Sequence, residues 1–184
     1  MIKTLSLLTT FFVLAACGSN QPTPDSEPGT TVMSGGKSQT VKVQSFVPFK
    51  KDATIAANIK SECALNSQLS ENIQAYGNEY NVAIIRAPQL NKDMQGKVLM
   101  LEIVDAVSQG HAFVGHRKFV KIAGTLYDSG SKVASYTATR FSGGGFWGAY
   151  KGSCSVLSRT VKTLGKDTAL WLSSPVDGAH LGDH

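Results

Sequence analysis

Apolar positions along this chain switch between two periods, and each switch marks an element. Over residues 41–47, Val41, Val43, Ser45 and Val47 alternate with neighbours of different polarity, the pattern of a half-buried strand that Pro48 stops. Asp52 is placed to cap a long helix, because Ile55, Ile59, Cys63, Leu69, Ile73 and Tyr76 recur at near-helical spacing and Gly77 supplies a stop. Residues 80–86, bounded by Pro88, and 97–107 are rich in Val, Ile and Leu and read as strands. Past the turn at Gly110, residues 118–127 and 132–141 flank Asp128-Ser129-Gly130-Ser131, a hairpin signal. Cys154, Leu157, Val161, Leu164, Thr168 and Trp171 mark one face of a closing helix that Pro175 ends.

The predicted order is β-α-β-β-β-β-α. This is an α+β sandwich, a mostly antiparallel sheet with two amphipathic helices packed side by side on one face. It occupies residues 41–174 as a single domain, and residues 175–184 read as a flexible tail.

Upstream of the domain the pattern changes in kind. Behind Lys3, the apolar run from Leu5 to Leu14 is interrupted by Ser6, Thr9 and Thr10 and is far shorter than the roughly twenty residues that span a bilayer. It ends in Leu14-Ala15-Ala16-Cys17, where small residues suit a peptidase pocket and the thiol is a nucleophile able to take a diacylglyceryl group. The pattern resembles the lipobox of bacterial lipoproteins. That resemblance implies a signal peptide over residues 1–16, a lipidated Cys17 carrying palmitate-type acyl chains, and an anchor at the outer membrane, since Gly18 stands where an Asp retains some lipoproteins at the inner one. Residues 17–40 then read as a tether. Pro22, Pro24, Pro28, Gly29, Gly35 and Gly36 punctuate its polar run, and a flexible coil of that length reaches roughly 25 Å.

Composition adds limits. The net charge of +5 is mild, and Lys50-Lys51 and Arg117-Lys118 are isolated pairs, so no basic stripe suits nucleic acid. Of the three cysteines, Cys17 is assigned to lipid, which leaves Cys63 and Cys154 in an oxidising compartment. Both fall on the apolar stripes of the two helices, so a disulfide between them is expected, two separate buried thiols being the alternative.

Gly143-Gly144-Gly145-Phe146-Trp147-Gly148 matches the dinucleotide fingerprint literally, but the return strand with its ribose-binding acid is missing after the helix. Phe146, Trp147, Tyr150 and Lys151 give this loop large amphipathic surfaces, which makes it the candidate contact site for a partner; the alternative is that its aromatics close the end of the core. His111 and His116 sit five apart and face opposite sides of a regular strand, while His180 and His184 lie in the tail, so no metal site is expected. No catalytic elbow, paired carboxylates or cofactor motif emerges either.

With lipobox, tether, element order and Gly-rich run assembled, the chain resembles proteobacterial envelope lipoproteins with a small α/β domain. Its architecture is similar to the periplasmic domains of the LpoB penicillin-binding-protein activator and the curli secretion lipoprotein CsgG. The resemblance implies a non-enzymatic binding, accessory or scaffold domain, anchored to the membrane by lipid and facing an envelope protein or glycan in the periplasm. An envelope hydrolase with a site assembled from scattered residues is the alternative.

Overall fold

The computed structural model describes residues 39–111, 115–142 and 152–183. Strand β1 (Gln39–Gln44) lies between two parallel neighbours, β2 (Val82–Ala87) and β3 (Lys97–His111). From β3 the sheet continues through antiparallel β4 (Gly115–Asp128) and β5 (Ser131–Phe141) to a short parallel strand, β6 (Ala179–Gly182). The order is β2-β1-β3-β4-β5-β6, and the fold is α+β. The antiparallel pairings are the longest, although β1 and β6 make the sheet mixed. Between β4 and β5 the loop is Ser129-Gly130, both at positive φ, the two-residue turn whose twist suits a hairpin.

Side-chain alternation builds the core. Val41 and Val43 of β1, Leu99, Leu101 and Ile103 of β3, Val120, Ile122 and Leu126 of β4, and Ala134, Tyr136 and Ala138 of β5 are all buried on one face. A bulge between Ile103 and Asp105 shifts the phase of β3 by one residue, which returns Ala106 to the same face. Gly124 leaves room for the Tyr136 ring: a Cβ there would stand 2.3 Å from Cε1. The phenol reaches Thr168 at 2.7 Å, and its ring lies 4.6 Å from that of Trp171, so sheet and helix layer meet around Tyr136.

Among the described residues three α-helices cover this face where two were expected. The segment predicted as one helix from Asp52 to Gly77 is divided into α1 (Ala57–Glu62) and α2 (Leu65–Gly77), and Asp52 is not its cap. Residues near Asp52 are engaged otherwise, since the Lys50 N–H donates to the Ile103 carbonyl and the Ile103 N–H to that of Pro48, extending the sheet beyond β1. The break falls at Ala64, φ +37°, directly after Cys63. Asn66 and Ser70 at the start of α2 bond the carbonyls of Val47 and Ser45, which holds α2 on a course that α1 does not share. The long helix α3 (Ser153–Ser173) crosses α2 at Gly165, where a Cβ would come within 2.5 Å of the Asn72 Cβ.

Residues 175–184, expected as a flexible tail, are a second correction. Pro175 does follow the end of α3, but the chain then turns back and Ala179–Gly182 pairs with β5. His180 therefore sits in a strand, with its Nδ1 2.9 Å from Thr137 Oγ1.

Candidate functional site

Cys63 and Cys154 are joined, with Cα atoms 4.8 Å apart and a separation of 91 in sequence. The bond ties the α1–α2 break to the first turn of α3. Cys17 and the loop residues Phe146, Trp147, Tyr150 and Lys151 lie outside the described residues, as do His184 and the side chains of His111 and His116.

What the described residues offer first is a broad surface. On the sheet face away from the core, Gln44, Met100, Ala123, Thr125, Tyr127, Ser135 and Thr137 are half-exposed, and no described helix packs over them. Strand register places Met100 beside Thr125 and Thr125 beside Ser135, giving a flat field of small hydroxyls bordered by Met and Tyr. A shallow hollow of ≈ 340 Å³ lies there, between Gln44, Pro48, Met100, Glu102, Thr125 and Tyr127.

A second cavity, ≈ 280 Å³, opens between α1, the outer part of β3 and the start of α3. Thr54, Asn58, Ser108, Gln109 and Ser153 supply its polar lining, and none of its lining side chains ionises at neutral pH. The Ser108 hydroxyl is buried without a hydrogen-bond partner among the described residues. Such a lining can hydrogen-bond, and among the described residues it includes no acid, base or activated nucleophile. Among the described residues no three His, Cys, Asp or Glu side chains converge to hold a metal ion.

The most highly connected charge is Arg140, on β5. Its Nε and Nη2 donate to the two oxygens of Asp167 on α3, at 2.8 and 2.9 Å, and Nη1 donates to Asp183 just beyond β6 at 2.8 Å. The hydrogen bond to Asp167 and then burial, which opposes it, set the guanidinium; the net effect raises its already high pKa. Asp183 also accepts the Phe141 N–H. Asp177, in the turn before β6, accepts both the N–H and the hydroxyl of Ser135 at 2.7 Å and pairs with Lys132. The Ser135 hydroxyl, then Lys132, hold its carboxyl below the usual range. Together these groups fasten the C-terminal strand to the sheet. Sequence reading missed them because a lone Arg on a strand carries no motif, and its carboxylates lie 27 and 43 residues away.

No protein-family model and no curated protein matches the chain. Solved structures do. A DUF330-family protein of Xanthomonas campestris aligns over 73% of this chain and 83% of its own at 14% identity, with a TM-score of 0.51. The PelC dodecamer of Paraburkholderia phytofirmans aligns over 71% and 89% at 15% identity and a TM-score of 0.43. A minor lipoprotein of Acinetobacter baumannii covers 74% and 94% at 12% identity and a TM-score of 0.40. At such identities the likeness to the Xanthomonas protein is one of fold, and the likeness to LpoB and CsgG rests on the sequence alone.

Proposed function

We propose that this chain is a lipid-anchored envelope protein, attached at the outer membrane through Cys17, and that its domain binds an envelope protein or glycan as an accessory factor without catalysing a reaction. The observation that carries the reading is the half-exposed sheet face around Met100, Thr125 and Tyr127, over which no described helix packs. A flat, mixed surface of this kind suits a broad macromolecular contact, whereas small substrates are held in concave sites with convergent polar groups. The loop carrying Phe146, Trp147, Tyr150 and Lys151 is the second contact in this reading.

Photo-crosslinking in intact cells tests it. A photoreactive residue at Thr125, Thr137 or Trp147 should give a discrete adduct with an envelope component, and the same residue at Lys162, on the exposed side of α3, should not. Adducts equal in yield and identity from all four positions would reject a specific contact.

A further inference from the structure

The two edges of the sheet are finished differently. At β2 the Ala87 carbonyl accepts the Ser45 N–H at 2.8 Å, which by alternation turns the backbone groups of Val82, Ile84 and Arg86 outward. Two of the three outward carbonyls are covered. Gln74 Nε2 donates to that of Ile84 at 3.1 Å, and Gly77 lies so close to that of Val82 that a Cβ would sit 2.7 Å from it. This is how an edge is blocked against further strands.

At β6 the edge is finished differently. Asp183 N–H donates to the Thr139 carbonyl at 2.8 Å, so Leu181 also addresses β5, and His180 and Gly182 turn their N–H and C=O groups away from the sheet. Among the described residues no backbone bond takes up these four groups. Beside them runs α3. Asp167, Leu170, Trp171, Ser174 and Leu181 line a groove of ≈ 430 Å³ there, and Leu170 is 52% exposed.

We propose that the β6 edge and this groove form a strand-addition site for an extended segment of a partner polypeptide. The segment bonds to His180 and Gly182 through its own backbone and lays one large apolar side chain on Leu170 and Trp171. A row of alternating donors and acceptors matches a peptide backbone and not a glycan or an acyl chain. Asp167, the carboxylate lining the groove, is already neutralised by Arg140, so the side chain that enters is uncharged. The inference goes beyond the anchored-binder reading and holds or fails independently of Cys17.

The test uses the full chain in detergent and fluorescein-labelled heptapeptides Thr-Ser-Val-X-Thr-Ser-Thr, with X as Leu, Phe or Ile. Saturable binding is expected, with slowed amide exchange at His180 and Gly182. The same peptides N-methylated at alternate amides keep their side chains but lose the backbone bonds, and should bind at least about tenfold more weakly. Leu170→Glu, at an exposed position that leaves the thermal melt unchanged, should weaken binding by a similar factor. Absence of saturable binding, equal binding of the N-methylated peptides, or undiminished binding to the Leu170→Glu protein would overturn the proposal. Dimerisation that protects the same two amides without peptide would overturn it too, by assigning the edge to a second copy.

Discussion

At the scale of single residues, Arg140 holds more of the molecule together than any other charge described here. Two hydrogen bonds to Asp167 and one to Asp183 make a fork that a point charge does not reproduce. Arg140→Ala should lower stability by about 2 kcal/mol, the scale of losing charge-assisted bonds at a half-buried site, and Arg140→Lys should recover little of it; urea denaturation of the three proteins checks both. Asp177 gives the fastening a dependence on pH. Because its folded pKa is lowered, its share of stability is present above the value of an unfolded Asp and is lost as pH falls through the folded value. Arg140 has a raised pKa, so its charge is unchanged over that range and acid acts through the carboxylates. Protection of the Ser135 amide, which Asp177 accepts, should therefore fall in acid after correction for intrinsic exchange, while the core amide of Ile122 keeps its protection.

At the scale of elements, what was legible follows from which forces set each one. Strands β3 to β5 and helix α3 could be read directly because their apolar period is set by one buried face, and the Ser129-Gly130 turn has the residues that its geometry requires. The division of α1 from α2 had no local signal. Ala64 is a strong helix former, and it takes φ +37° because its neighbours are committed elsewhere: Cys63 to Cys154, and Asn66 to Val47. Strand β6 was illegible for a related reason. It has four residues, none fully buried, and its fastening comes from Arg140, Ser135 and Thr137, all in another strand. The disulfide makes a further prediction at this scale. Replacing Cys63 and Cys154 together by Ser removes a cross-link between residues separated by 91 in sequence, and the chain-entropy relation gives about 4 to 5 kcal/mol as the loss that equilibrium unfolding should approach from below.

At the scale of the whole molecule, the layers were readable and the contacts were not. Alternation in β4 and β5 marks Thr125, Ser135 and Thr137 as facing away from the core, but a sequence of hydroxyls does not say what they meet. The same holds for the anchor proposed at Cys17, which would be an address and not an activity. Cys17→Ala should abolish metabolic labelling with alkyne palmitate and move the protein from the membrane to the soluble fraction; retained labelling would remove the anchor from the account.

The position of β1 has a mechanical consequence. The chain upstream of Gln39 joins the sheet at an interior strand, flanked on both sides by parallel partners, and not at an edge. Tension arriving along a membrane tether would load the ladders to β2 and β3 in shear, straining their bonds together. Tension applied at the C-terminal end would instead peel β6 from β5 one bond at a time. In an optical trap, pulling between Gln39 and Ser142 should therefore rupture the domain at a higher force than pulling between Ser142 and Asp183, and rupture under load is governed by the unfolding rate, not by equilibrium stability. A domain built this way resists a pull on its N-terminal strand better than one on its far end, which gives way first.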